Sequence, residues 1–432
     1  MKSDRTTFLK DVASDWRGLT RSQKWLYFLY FLLFDTHFLA FVRAFENRVG
    51  LSFFVPYSDT FFLVVATLGC ITIFVKKVKL RDIILLVSLV IFHIVSINVH
   101  SDTAMFAIEN ASNFYWACLP MYIVGLTIDS KSSPRLFVVI AYLVLILLIV
   151  YLYVFGMGTD DEGEEMEELM GVAYNLLPFA CLLLWNAITR GGLIHWALSI
   201  VAVFLLFSLG TRGPIICLVF FLSFYLIVFK HYKYNVLVKV LIVVIGYLIY
   251  NFATEIALSF SVISSQLGLS TRVFDSIVTN EMMNIQESSG RDVIFGSVIN
   301  TLTNQNILFD AHLYADRLFS DFSSHYAHNL ELELLCDFGL IGGGIIILLL
   351  IWFIFRAFRS VWGSPARVLL LVLFSSSIVM LQVSGSFLVS TVFWLFIGMC
   401  TAMIRDGKKE VILQTDRIGQ VQTPSSIVLN PQ

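Results

Sequence analysis

The chain has 432 residues, of which 58% are hydrophobic and 14% charged, with a formal net charge of −2. A soluble globular protein carries about 25% charged residues, so this composition excludes one. The apolar residues fall in blocks of the roughly 20 residues that a helix needs to cross a bilayer, and the expected class is all-α: a polytopic integral membrane protein.

Taken in chain order, twelve such blocks are predicted as spans: 24–42, 57–75, 82–99, 103–126, 136–156, 170–188, 193–210, 214–229, 236–256, 329–355, 367–384 and 386–404. The first follows a polar, charged arm and is long enough to be a span itself, so no cleavable signal peptide is expected. The block at 103–126 carries Glu109, Asn110, Ser112 and Asn113, and only Ser384-Gly385-Ser386 separates the last two blocks. The chain therefore divides into a nine-span region (1–256), a large loop (257–328), a three-span region (329–404) and a tail (405–432), forming one membrane domain overall. The tail after Lys409 is expected to be disordered.

Basic residues favour the cytoplasmic side. With the N-terminus inside, the inward segments collect the Lys and Arg of the N-terminal arm, 76–81 (KKVKLR), Lys131, Arg135, Arg190, Lys230, Lys233, Lys239, Arg356, Arg359, Arg367 and the tail. Of the 29 Lys and Arg only six then face outward: Arg43, Arg48, Arg212, Arg272, Arg291 and Arg317. Each inward loop is basic, which supports the span count, since a missed span would invert every later loop.

Two outward segments are more than short turns. The acidic run GTDDEGEEMEELMG at 158–171 suits a solvated loop. The seventy or so residues at 257–328 are long enough to hold structure of their own. There, Ser289 and Asp292 suit a helix start, and Ile294, Phe295, Val298, Ile299 and Leu302 make an apolar stripe at helical spacing. That helix is predicted to lie on the membrane surface or against the span ends. The six cysteines fall one to a span, none with metal-ligand spacing, so neither a disulfide framework nor a metal site is expected.

Three outward clusters carry chemistry. In SLGTRGPIICL (208–218), Gly213-Pro214 suits a helix start. Arg212 then sits beside a helix N-terminus, where free N–H groups and the macrodipole favour an anion. In SSGRDV (288–293), Arg291 stands in the first turn of a helix, against the macrodipole unless an anion is bound. In SSHYAHNLELELLCDFGLIGGG (323–344), His328 and Asn329 open the tenth span, with Glu331 one turn below His328 and Glu333 turned elsewhere, toward an outer arginine. Carboxylates in spans are rare and face cavities or bundle interiors. Asp35, His37, His93, Glu109 and Glu255, each in the outer half of a predicted span, are consistent with a polar cavity open outward.

Two arginines with convergent helix N-termini suit a phosphate or diphosphate, and the tail of a lipid-linked diphosphate would lie in the membrane. Expelling a diphosphate from an anomeric carbon needs developing negative charge to be stabilised, which Arg212 and Arg291 can do. The attacking hydroxyl needs a base, and His328 has a suitable intrinsic pKa.

With these motifs in view, GTRG (210–213), GRDVIFG (290–296) and AHNLELELLCDFGLIGGG (327–344), the region 200–355 resembles the bacterial O-antigen polymerase and O-antigen ligase superfamily. The resemblance implies a GT-C-like membrane fold and a glycosyltransferase of the inner membrane that needs no metal or other cofactor. It would act at the periplasmic face on undecaprenyl-diphosphate-linked glycans, as donor and acceptor. It implies His328 as the essential histidine and Arg212 and Arg291 as diphosphate ligands. Asn329 and Glu331 would support them, and Arg272 and Arg317 would touch glycan or anchor the loop. A polymerase joining repeat units, with a chain-length regulator as partner, is favoured by the aromatic, acidic-loop composition and the ELELLCDFGLIGGG sequence. A ligase moving finished glycan to lipid A-core uses the same donor. A transporter or flippase is the alternative outside enzymes, although no internal repeat is evident.

Overall fold

The computed structural model describes residues 3–19, 24, 78–128, 130, 132–155, 164–209, 212–229, 240, 253–266, 271–279, 291–304, 307–319 and 327–421. Helix follows helix, and no strand occurs among the described residues. In order they are α1 (Ser3–Gly18), α2 (Leu80–Val99) and α3 (Ala104–Asn113, continuing through a π turn at Phe114–Cys118 into Leu119–Gly125). Then come α4 (Pro134–Phe155), α5 (Glu164–Arg190), α6 (Leu193–Ser208), α7 (Arg212–Phe224 with a π turn at Tyr225–Phe229), α8 (Ala253–Gln266) and α9 (Arg272–Val278). The rest are α10 (Arg291–Asn304), α11 (Ala315–Phe319), α12 (Leu330–Ser360), α13 (Arg367–Phe374, then a π turn and a 3₁₀ turn to Gln382) and α14 (Thr391–Val421).

Among the described residues, five helices are long and apolar enough to cross a membrane: Leu80–Val99, Pro134–Tyr151, Gly171–Arg190, Arg212–Phe229 and Leu330–Ser360. Leu193–Ser208 and Arg367–Gln382 are apolar but shorter. The predicted spans 24–42 and 57–75, and most of 236–256, lie outside the described residues.

α5 is the hub, with 72% of Gly171–Arg190 buried against α4, α6 and α7, whereas only 11% of the apolar window of α12 is buried. α3 and α14 cross at a pair of glycines. A Cβ on Gly125 would stand 2.8 Å from the Met399 nitrogen, and one on Gly398 would lie 3.0 Å from the Gly125 Cα. Small residues let membrane helices approach this closely, which gains dispersion contacts where no hydrophobic drive exists between helices.

The bundle has two distinct ends. At one, the lower, Arg405 donates to Asp82 with both groups buried, the Ser130 N–H donates to Asp406 at 3.3 Å, and Arg367 donates to the Phe229 carbonyl at 3.3 Å. At the other, the upper, the Leu313 N–H donates to Ser96 at 3.1 Å and Asn113 donates to the Val389 carbonyl at 3.1 Å.

The structure corrects several boundaries. The helix of the tenth predicted span does open at Asn329, its N-cap, but it is not continuous: Gly339, at φ 75° and ψ 169°, breaks α12. Beyond the break, Gly343 folds back onto Leu334 and Leu335, with their backbones in close contact. A mostly buried helix, 330–338, therefore precedes the membrane-length helix from Leu340 to Ser360. The hydrogen-bonding groups freed at the break are taken by the segment 307–312. Leu340 and Ile341 N–H donate to Ile307 and Leu308 at 2.9 Å each, and Asp310 and His312 N–H donate to Phe338 and Asp337 at 3.1 and 2.9 Å. Irregular backbone at membrane depth survives only when buried in protein this way. The helix at the last predicted span starts at Thr391 rather than at 386. The tail is not disordered up to Val421, because α14 runs on through residues 405–421 with no proline to stop it.

The loop 257–328 is helical in part, as its patterning predicts. Ile294, Val298 and Leu302 of α10 pack with Leu332, Leu335, Cys336 and Leu340, while Ile299 is exposed. α10 thus lies against the first half of α12. In the acidic run, helix begins at Glu164 rather than at 170, and 156–163 lie outside the described residues.

Candidate functional site

The site is built at the start of α12. Asn329 is the N-cap in extended conformation, and its Oδ1 accepts the Leu332 N–H at 3.0 Å. Its Nδ2 donates to Gln382 Oε1 at 3.1 Å, and Gln382 Nε2 donates to Glu331 Oε1 at 3.1 Å. One amide therefore holds both the cap and the first-turn carboxylate. Glu331 Oε2 is buried and has no hydrogen-bond partner among the described residues. His328, just ahead of the cap, has φ 50°, a left-handed conformation uncommon outside glycine. Strained residues of this kind concentrate at functional sites.

Arg212 approaches from the other side. α7 runs antiparallel to α13: Arg367 bonds the Phe229 carbonyl, and Phe220 packs on Phe374 with ring centroids 5.8 Å apart. Continued along both helices, that register brings the Arg212 end of α7 to the 3₁₀ turn Met380–Gln382, against which α7 packs. Gly213 is needed there, because the Tyr174 side chain fills the space a Cβ would take. Arg212, His328, Asn329 and Glu331 thus belong to one end of the bundle, with Gln382 at their junction. α10 begins at Arg291; the side chains of Arg291 and Arg272 lie outside the described residues.

Behind α12 is a group of carboxylates. Glu333 is buried and accepts from the Ser386 hydroxyl and from the Phe387 N–H at 3.1 Å, so its hydrogen bonds go to the 383–390 loop. Asp337 accepts the Ala315 N–H at 3.1 Å, and Asp316 accepts the Ala327 N–H at 2.8 Å. Both are buried. Arg317 lies over Phe106 and Tyr314, with its guanidinium carbon 5.0 and 5.8 Å from the ring centroids, and its charge acts on Asp316 and Glu333. Burial pushes the Asp316 carboxyl above its ordinary range, against the Ala327 hydrogen bond and the Arg317 charge. Burial, then the nearby Asp337 and Glu333, raises the Tyr314 hydroxyl. Tyr314, like His328, has positive φ, at 65°.

Of the residues expected to line a wider polar cavity, the three that are described do not come together. His93 is buried and packed on Phe114, with Nδ1 2.7 Å from the Tyr115 hydroxyl and Nε2 without a hydrogen-bond partner among the described residues. Glu109 and Glu255 are exposed, and Asp35 and His37 lie outside the described residues. Spacing along the chain also misses groups that the fold gathers. Gln382, in a greasy segment, and Asp337, in LLCDFG, had a signal: each is polar inside an apolar run. Asp316 and Tyr314 had none.

Compared with known proteins, the chain matches no protein family, no curated protein and no solved structure. The likeness of residues 200–355 to the O-antigen superfamily therefore rests on its short motifs.

Proposed function

We propose that this protein is a glycosyltransferase that polymerises undecaprenyl-diphosphate-linked repeat units into a surface polysaccharide such as O-antigen. The lower, basic end is cytoplasmic and the upper end periplasmic, in a twelve-span, GT-C-like fold of the bacterial inner membrane. The observation that carries the proposal is the Gln382 clamp, which fixes Asn329 and Glu331 beside the helix end that begins with Arg212. An apolar cavity of about 550 Å³ between α6, α7, α8 and α9 lends further support. Its wall includes Ile215, one turn beyond Arg212, with Leu218, Phe204, Phe207, Phe260 and Phe274. A polyprenyl tail fits a dry groove that starts beside a diphosphate-binding helix end.

In this reading the donor diphosphate rests on Arg212 and Arg291, each at a helix N-terminus where N–H groups also meet negative charge. His328 takes the proton of the acceptor hydroxyl as that oxygen bonds to the anomeric carbon. The bond from the anomeric carbon to the diphosphate oxygen breaks, and its electron pair leaves with undecaprenyl diphosphate, stabilised by the arginines. Asn329 and Glu331 position the first turn, while Arg317 and Arg272 touch glycan or anchor the loop. A chain-length regulator would be a protein partner.

The test is the lipopolysaccharide pattern of a deletion strain complemented with Arg212→Ala, Arg291→Ala or His328→Asn; asparagine tolerates the left-handed backbone. Polymerase activity predicts loss of the long ladder, leaving core capped by a single repeat unit. Bare core with accumulating lipid-linked polymer would identify the ligase, which shares the donor chemistry. Unchanged ladders in all three normally expressed variants would overturn the proposal.

A further inference from the structure

We propose that His100, Asp310 and His312 form a site for one divalent transition-metal ion of the zinc type, which fastens the 307–319 segment to the turn between α2 and α3. The ion is structural, and its site does not depend on the glycosyltransferase reading. One ligand atom from each of the three residues lies within 4.8 Å of the others. The set is hidden in the sequence because its members stand on two distant segments, HSD at 100–102 and DAH at 310–312.

The two imidazoles lie side by side, and being stacked they must turn before their lone pairs meet at one ion. The two rings stack with centroids 3.8 Å apart and planes 13° from parallel. His312 Nε2 lies 3.0 Å from Thr103 Oγ1 and 3.2 Å from Asp102 Oδ1, while its Nδ1 faces Asp310 Oδ2 at 4.0 Å. A metal-bound histidine almost always gives its second nitrogen to a carboxylate or hydroxyl in this way, fixing tautomer and ring direction. Asp102 fills that role and leaves Nδ1 for the ion.

Two imidazoles and one carboxylate suit zinc and its neighbours rather than magnesium or calcium, which prefer all-oxygen shells. Ligands about 2.0–2.1 Å from a tetrahedral zinc stand about 3.3 Å from one another. The 4.0 Å pair needs to close by less than about 1 Å, with the stacked rings turning to aim at a common point. The fourth position is open to water. The bound ion would brace the segment that carries Tyr314, Asp316 and Arg317 against α2, where Leu313 already bonds Ser96.

The experiment uses full-length, tag-free protein in detergent, stripped of metal and titrated with Co²⁺. The expected result is one equivalent bound, with the visible absorption of a low-coordinate N/O site and a rise in melting temperature, both reversed by Zn²⁺ competition or chelator. His100→Gln and His312→Gln should each abolish the absorption, and Asp310→Asn should weaken binding at least about tenfold. His100 is half-buried at a helix end, so its variant is the least disturbing to the fold. Absence of Co²⁺ absorption in the folded wild type, or absorption unchanged in His100→Gln, would overturn the proposal.

Discussion

Asn329 and Gln382 are joined side chain to side chain, at 3.1 Å across 53 positions of sequence. Gln382 ends the α13 segment, which runs beside α7, and Asn329 caps α12, so this bond ties the helix preceded by His328 to the segment that packs against α7. The second half of the same amide reaches Glu331. Placement of the proposed base relative to the proposed diphosphate site therefore passes through one neutral residue inside an apolar segment.

Gln382→Leu should damage that placement without unfolding the bundle. It leaves Asn329 Nδ2 and Glu331 Oε1 without the amide, and an unsatisfied buried polar group costs about 1–3 kcal/mol. The expected outcome is a lower melting temperature with normal membrane insertion, and glycan transfer reduced at least about tenfold. Melting followed by size-exclusion chromatography, together with the polysaccharide ladder, checks both halves.

Gly339→Ala should be severe. The residue has φ 75°, and a Cβ there would stand 2.8 Å from the Leu308 carbonyl, against backbone that cannot yield. A loss above about 2 kcal/mol is expected from strain and overpacking. Gly344→Ala, where a Cβ meets nothing within 4 Å, should be tolerated. Comparing the melting temperatures of the two variants separates this account from a general need for glycine in the GGG run.

The Asp82–Arg405 pair offers a test of the lower end. Both side chains are buried, so Arg405→Leu alone strands a charge and should cost about 3–5 kcal/mol. Asp82→Leu combined with Arg405→Leu should recover most of that loss. A double-mutant cycle read by thermal denaturation in detergent gives the coupling.

Asp316 should make stability depend on pH. Its native pKa lies above the ordinary carboxylate value because of burial, so the folded state holds the proton to higher pH than the unfolded state does. Its contribution is therefore greatest below the ordinary carboxylate range and falls as pH rises from there through the raised native value. The Arg317 charge acts on it, and its own charge acts on Glu333 and Asp337. Asp316→Asn keeps an acceptor for the Ala327 N–H and should flatten the profile of melting temperature against pH. A profile as steep as wild type would assign the dependence to its neighbours.

Much of this architecture was legible in the sequence because a bilayer demands long apolar helices. α2, α4, α5 and α7 coincide closely with predicted blocks, and the α10 stripe of Ile294, Val298 and Leu302 packs as its spacing predicts. The Asn329 cap and the helix start at Arg212 were also readable, from local capping chemistry. The break at Gly339 was not, because FGLIGGGIII carries an unbroken apolar signal and the cause is a tertiary contact with Leu308. Glu109 and Glu255 misled for the converse reason: an acid in an apolar stretch points to a cavity only if the helix turns it inward. The partnership of Asp316 with Asp337, and of His100 with His312, depends on how 307–319 folds over α2 and α12, which no local pattern encodes.

The most direct measurement of the central claim uses purified protein and an undecaprenyl-diphosphate-linked repeat unit, following glycan length and released undecaprenyl diphosphate together. The account predicts that wild type lengthens the lipid-linked glycan with matching release of undecaprenyl diphosphate. His328→Asn should bind donor normally but not turn over, and Arg212→Ala should lose donor affinity. Full turnover by both variants, or no lengthening by folded wild-type protein, would contradict it.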